Sequence, residues 1–250
     1  MRFIDLSVPI EEGPSEMLAP EIVREDHEAG SRLMQSIFNC AQSDLPGGLG
    51  WATERITLNT HTGTHLDAPY HYSPTSEGKS ARTIDQIPLE WCFADAFVLD
   101  MRHIPEGARI EVADVEKELK RIRYSIRPLD IALVMTGADK FWGTPQYRNR
   151  GCGMGKDATL WLIERGVKIM GTDAWGFDRP FAQIVEDFAK TRERKLIWEA
   201  HFAGIDREYC HIEKLANLDH LPAHGFKIAC FPVKITGASA GWVRPVAILD

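Results

Sequence analysis

His61, His65, Asp67 and His71 stand within eleven residues, in the run His61-Thr-Gly-Thr-His-Leu-Asp-Ala-Pro-Tyr-His71. No other stretch constrains the fold as much, because these side chains can act together only if the backbone bends to gather them. Two histidines four residues apart can share one face of a helix, as in the zinc-protease helix. Asp67 would then lie far round that helix, and Pro69 would break its hydrogen bonding. The run therefore reads as a strand end followed by a tight turn. Neutral imidazole nitrogens with a carboxylate oxygen suit a borderline divalent ion, Zn2+ or Mn2+. His61, His65 and Asp67 supply three ligands and leave positions open for water, the usual design of a catalytic metal. Such an ion lowers the pKa of its water toward neutrality and polarises a carbonyl. His71 follows the redirecting proline. With an ordinary pKa near ~6.5 it suits proton transfer, and a further metal ligand is the other role open to it.

Composition limits the partners. A net charge of -7 disfavours nucleic acid, which calls for clustered Lys and Arg. No apolar run approaches the roughly 20 residues that span a bilayer, so no membrane partner is expected. Met1-Arg-Phe-Ile-Asp5 lacks the charged and apolar regions of a signal peptide. Cys40, Cys92, Cys152, Cys210 and Cys230 are odd in number and scattered, which fits free thiols and a cytoplasmic location.

The chain shows no repeat, low-complexity tract or linker, so a single domain over 1–250 is the economical reading. Phe3 to Ile10 is expected as a first strand. Glu11 to Gly50 lacks sustained periodicity and carries Pro14, Pro20 and Pro46; it is expected to be functional or partly helical, with a mobile cover over the site as one option. Arg55 to Asn59 alternates as a strand does and runs into the His/Asp turn. Ala96 to Leu99 and Ile131 to Met135 are apolar runs of buried-strand type. Between them Val112, Val115, Leu119 and Ile122 recur at helical spacing. Asp157 to Arg165 reads as a helix closed by Gly166, followed by a strand over Val167 to Met170. Lys227 to Ile235 and Val243 to Leu249 read as two more strands, with Pro232 marking an edge or bulge. Gly151-Cys-Gly-Met-Gly155 lacks the Lys-Ser/Thr of a phosphate loop and is expected to be a flexible turn. Strands alternating with helices indicate an α/β fold with a mixed central sheet flanked by helices.

His-x-Gly-Thr-His-x-Asp-x-Pro-x-His resembles the signature of the metal-dependent cyclase family, which includes bacterial kynurenine formamidase (arylformamidase) and isatin hydrolase. The resemblance covers most of the chain. Phe3 to Ile10 is similar to the family's first strand, Gly171-Thr-Asp173 through Asp178 to its central element, and Glu213-Lys-Leu-Ala-Asn217-Leu to its Glu-x-Leu-x-Asn-Leu stretch. Phe231 through Gly237 to Arg244 resembles its C-terminal strand pair. The resemblance implies a swivelling β/β/α fold and a homodimer or homotetramer. It also implies a second metal position, formed by His201 and Glu213 with Asp67 bridging, as in the formamidases, or a single manganese, as in isatin hydrolase. Spacing alone does not single out His201 or Glu213. By the same reasoning His27, His103, His211, His220 and His224 are expected to be surface or structural.

Two departures bear on the substrate: Leu18-Ala-Pro-Glu-Ile22 replaces the formamidase N-terminal pattern, and Gly176 stands where serine is usual. Phe38, Trp51, Trp142, Trp175 and Phe177 are candidates to line a pocket for a small aromatic or cyclic amide. The leading expectation is a metal-dependent hydrolase acting on such a carbon–nitrogen bond, an arylformamide or an isatin-like ring. A lactone hydrolase or cyclase using the same site is the alternative. A non-catalytic metal-binding protein is the reading from another class.

Overall fold

The computed structural model describes residues 1–249. Nine strands form one sheet: β1 (Arg2–Asp5), β2 (His65–Asp67), β3 (Phe93–Asp100), β4 (Ile131–Met135), β5 (Ile169–Thr172), β6 (Cys210–Glu213), β7 (His224–Ala229), β8 (Ala240–Trp242) and β9 (Val246–Leu249). Their order across the sheet is β1-β9-β7-β3-β4-β5-β6-β2-β8. The central four strands, β3 to β6, run parallel, while every pairing outside them is antiparallel. The sheet is therefore mixed, and helices flank it, as the alternation of strands and helices implies.

Period-two alternation divides the interior. Ile131, Leu133 and Met135 pack on one face of β4, whereas Ala132 and Val134 enter the other. That second face receives α3 (Val112–Ile122) through Val115, Leu119 and Ile122. It also receives α4 (Lys156–Glu164) and α6 (Glu199–Asp206), with α5 (Phe181–Thr191) between them in the chain. The helical spacing read from Val112 to Ile122 thus becomes the buried stripe of α3.

Glu11 to Gly50 is partly helical, as expected, through a twelve-residue helix, α1 (His27–Phe38). Several elements differ from the sequence expectation. The same segment contains a strand, Glu21–Glu25. Only Gly30 and Ser31 of α1 are buried; its apolar residues Leu33, Ile37 and Phe38 face outward. Its start is set by Asp26, whose side chain accepts the N–H groups of Glu28 and Ala29. Glu21–Glu25 pairs with Thr53–Thr57 in a separate hairpin outside the central sheet. The expected first strand stops at Asp5, with Ser7 adding one isolated bridge to Leu215. At the other end, β7 stops at Ala229, so Pro232 follows a strand instead of bending one. Gly151 to Gly155 is not a flexible turn: it is buried, and Gly153–Met154 pairs with Arg109–Ile110. A Cβ on Gly153 would lie 2.1 Å from the Arg179 nitrogen, so the glycine permits a backbone contact.

Candidate metal centre

Strands β2 and β6 are antiparallel neighbours with His211 opposite Asp67 and Glu213 opposite His65. Side chains two apart share a face, so this register sets four polar groups in a block, His65 and Asp67 beside His211 and Glu213. Leu66 and Ile212 between them turn into the apolar core behind. Gly63, at φ +64, makes the left-handed turn that brings His61 back over Asp67. A short helix, α2 (Pro69–Tyr72), then starts at its proline and carries His71 to the same spot. The expected tight turn is present around Gly63, but His65–Asp67 follows it as a strand paired on both sides and Pro69 then opens a helix, neither of which a turn alone includes.

His201 arrives from α6. Its ring Nδ1 is hydrogen bonded to the Asp178 carboxylate, which also accepts the backbone N–H groups of Ala200 and His201. Nε2 is thereby turned toward Glu213 Oε1 at 3.5 Å and Asp67 Oδ2 at 3.8 Å.

His211 was not singled out by its sequence spacing, yet it is fully buried, with Nε2 at 3.1 Å from Asp67 Oδ2 and 3.3 Å from Glu213 Oε1. The expectation of a surface or merely structural role is corrected in its location. Its ring is stacked on Phe177 and Tyr72, and Nδ1 lies 3.1 Å from the Tyr72 hydroxyl and 3.2 Å from the Tyr209 hydroxyl. Tyr209 donates its own proton to the Ala200 carbonyl, so it accepts from His211 Nδ1–H. The alternation His211-Ile-Glu213, repeating His65-Leu-Asp67, was the available signal.

Around Asp67 the nitrogens crowd closely. His61 Nδ1 is 2.8 Å from Oδ1, His65 Nε2 is 3.2 Å from Oδ1, and His71 Nε2 is 3.7 Å from Oδ2. Even so, both Asp67 oxygens, His65 Nε2 and His211 Nε2 are buried without a properly directed hydrogen bond. His65 Nδ1 faces the Gly63 carbonyl, so it carries the proton and Nε2 presents a lone pair. Buried polar atoms left unpaired at such cost need a partner of another kind, and a divalent cation is the partner that imidazole lone pairs and carboxylates share. Ligand atoms of Asp67, His201, His211 and Glu213 form one such group, and those of His61, Asp67 and His71 another. The residues fit a divalent ion.

Electrostatics point the same way. Burial would raise the Asp67 carboxyl, but His65, His71 and His61 hold it well below the usual range. Burial also opposes charge on His211, yet its contacts with Asp67 and Glu213 raise it to about 9. Glu213 is pushed down to about 2, burial being overcome chiefly by His211. His71 moves the other way: burial lowers it to about 4, with Asp67 opposing and the imidazoles of His61 and His201 adding to the fall.

The centre floors a cavity of about 420 Å³ walled by Trp175, Phe181 and Trp198, with Met17 and Leu18 at its rim. Of the aromatic candidates Trp175 lines it. Phe177 lies in the core beneath His211. Phe38 and Trp51 pack together on the segment that carries α1, and Trp142 bonds Glu11. Trp198 and Phe181 were not anticipated. Gly176 also lines the cavity, and a Cβ there would find only Glu213 Oε1, at 3.8 Å, so the missing serine leaves open room.

The sequence pattern of the Cyclase family matches residues 4–179, more than half of the chain. The chain belongs to the Cyclase family. Kynurenine formamidase of Erythrobacter litoralis (strain HTCC2594) is 27% identical over 192 residues, covering 77% of this chain and 74% of that one. The enzyme of the same name from Salinibacter ruber (strain DSM 13855 / M31) is 24% identical, covering 76% and 77%. Among solved structures, an isatin hydrolase bound to the product analogue thioisatinate superposes with a TM-score of 0.77 at 21% identity, covering 99% of this chain and 92% of that one. Isatin hydrolase A from Ralstonia solanacearum gives 0.75 at 23% identity, covering 100% and 92%. These likenesses establish a cyclase-family fold for the chain.

Proposed function

We propose that this cyclase-family chain is a divalent-metal-dependent hydrolase opening a small amide or cyclic amide, of the arylformamide or isatin type. The observation that carries the reading is the set of buried, unpaired ligand atoms on Asp67, His65 and His211, packed directly behind the His61, His71, His201 and Glu213 side chains that floor an aromatic cavity. His61, His65 and Asp67 would hold one ion, zinc or manganese; His201, His211 and Glu213 would hold a second, with Asp67 available to either. When bound, such an ion acidifies water and polarises a carbonyl.

The chain's own groups supply the rest. His71 is neutral at physiological pH and lies at the cavity wall, so Nε2 accepts the proton of the attacking water and returns it to the departing nitrogen. Asp178 fixes the His201 ring, and the Tyr209 hydroxyl fixes His211. Trp198 stacks on His201 at 4.1 Å and presents an aromatic surface beside the reacting centre. Relatives named kynurenine formamidase, and neighbours named isatin hydrolase, support an aryl-linked carbon–nitrogen bond as the target.

The segment from Glu21 to Thr57 supports a homodimer or homotetramer. It contributes no residue to the buried clusters, and Leu33, Ile37 and Phe38 of α1 are exposed. A second copy covering that face is the occupant we assign. The five free cysteines fit a reducing compartment such as the cytoplasm.

The test is hydrolysis of an N-formyl arylamine and of isatin by purified protein, with elemental analysis of the same sample. Chelation should abolish turnover, and zinc or manganese should restore it. Full turnover in metal-free protein would overturn the reading.

A further inference from the structure

Arg179 is 94% buried: its relative exposure is 6%. One guanidinium nitrogen, Nη1, pairs with Asp187 at 2.7 Å and approaches the Gly107 carbonyl at 3.5 Å. The other two, Nε and Nη2, are buried with no hydrogen-bond partner, and so is the indole Nε1 of Trp175. Three unpaired donors in one neighbourhood is unusual, since a buried guanidinium holds its charge at a large desolvation cost unless an acceptor meets it.

Arg179 and Trp175 line a common small cavity with Arg148 and Arg150. Arg150 is engaged by both oxygens of Glu106, at 2.7 and 2.8 Å. Asp178, the acid on this wall, is occupied by His201 and two backbone N–H groups. Arg148 forms no ion pair among the described residues, and it also lines a cavity of about 290 Å³ with Asn149, Trp175 and Phe181. The small cavity, at about 10 Å³, has room for one water-sized group. Both adjoin the catalytic pocket, with Trp175 and Phe181 common to all three. Donors are in excess here and acceptors are already engaged.

We propose that Arg148, Arg179 and Trp175 form a carboxylate subsite beside the metal centre. One carboxylate oxygen enters the small cavity toward Arg179, and the other meets Arg148, while Trp175 and Phe181 flank the rest of the molecule. Arginine suits this task because its planar fork matches a carboxylate. The inference rests on the amide-hydrolase reading for its meaning: the carboxylate is either carried by the substrate or created from its carbonyl by hydrolysis.

Binding of benzoate and of its uncharged isostere benzamide to metal-loaded protein tests the site without any turnover. Calorimetry should show benzoate bound at least ~10-fold more tightly, the scale of a charge-assisted contact. Arg148→Gln and Trp175→Phe should each erode that preference while metal content stays at the wild-type value. Arg148 is partly exposed, so its variant should fold even if an Arg179 variant does not. Equal affinity for the two probes, or a benzoate preference untouched in both variants, overturns the subsite; in the second case the carboxylate sits on the metal. Kinetics then separate the sources. A higher KM for 2-formamidobenzamide than for 2-formamidobenzoate, lost in Arg148→Gln, assigns the carboxylate to the substrate. Equal KM values with formate inhibition that weakens in Arg148→Gln assign it to the product. Failure of hydrolysis with the benzoate preference intact would sink the amide-hydrolase reading and leave the subsite standing.

Discussion

The ammonium of Lys214 lies 2.8 and 3.0 Å from the two carboxylate oxygens of Glu16, and both side chains are almost wholly buried. The same ammonium donates to the His61 carbonyl at 2.7 Å, and Glu16 accepts the Gly63 N–H at 2.7 Å. One ion pair thus staples the N-terminal segment to the turn that carries His61 and leads into His65. All three Lys214 donors are engaged within the protein, which makes it a positioning residue.

Lys214→Met should leave Glu16 buried without its cation and destabilise the chain by about 3–5 kcal/mol. Adding Glu16→Gln should recover part of that loss. Metal affinity should fall roughly 10–100-fold in both variants, because the turn holding His61 is no longer tied down. Competition with a chromogenic chelator measures it, and unchanged affinity in the double variant would refute the stapling role.

His65→Ala should abolish metal binding and turnover together. An imidazole at a fully buried position has no neighbour able to replace it without moving the backbone. Asp67→Asn should act in the same direction less completely, since an amide oxygen coordinates without charge. Full metal occupancy of the alanine variant at sub-micromolar free metal would show that His65 is no ligand.

His71→Gln should keep the fold and the metal and lose roughly 10²–10⁴-fold in turnover. The sequence alone suggests an ionisation near neutrality, but burial and two neighbouring imidazoles bring His71 to about 4. A base with that value works above it, so the rate should rise as pH climbs through about 4 and hold through neutrality. Loss of metal in proportion to activity, rescued by excess metal, would make His71 a ligand instead.

Metal loading near pH 7.5 should release protons. His211 holds its proton up to about 9 in the metal-free chain, against burial, because Asp67 and Glu213 stabilise the cation. A ligating imidazole must be neutral. Titration calorimetry in buffers of different ionisation heat should find close to one proton per ion bound at His211. Proton-independent heats would remove His211 from the ligand set.

Asp173 should make stability fall as pH rises from about 4 to about 6. Burial raises its carboxyl to about 6, although Thr136 and the Gly137 N–H donate to it. The folded state therefore holds a proton that the unfolded chain gives up near ~4, and stability present below that value is lost through the folded one. The contribution is about 3 kcal/mol at most for such a shift. Urea denaturation across this range, compared with Asp173→Asn, should show a slope in the parent that flattens in the variant.

Local chemistry was enough to read the His61–His71 turn, the helix from Val112 to Ile122 and the buried runs of β3 and β4. Each depends on neighbours a few residues away: a glycine and a proline that bend the backbone, a period of 3.6 or of 2. His201 and Glu213 came from family resemblance, since nothing in their spacing marks them. His211 escaped both routes. Its place is set by antiparallel register with Asp67, 144 positions earlier in the chain, and a shift of one residue would send it to the opposite face of the sheet. The same holds for Lys214 with Glu16, 198 positions apart; Arg179 and Trp175 are near neighbours in the chain, but their unpaired donors exist only once burial removes water from them. Which residues could do chemistry was written in the order of the amino acids; which of them share one desolvated volume was decided by strand pairing and packing, because contact and burial arise only when distant segments meet.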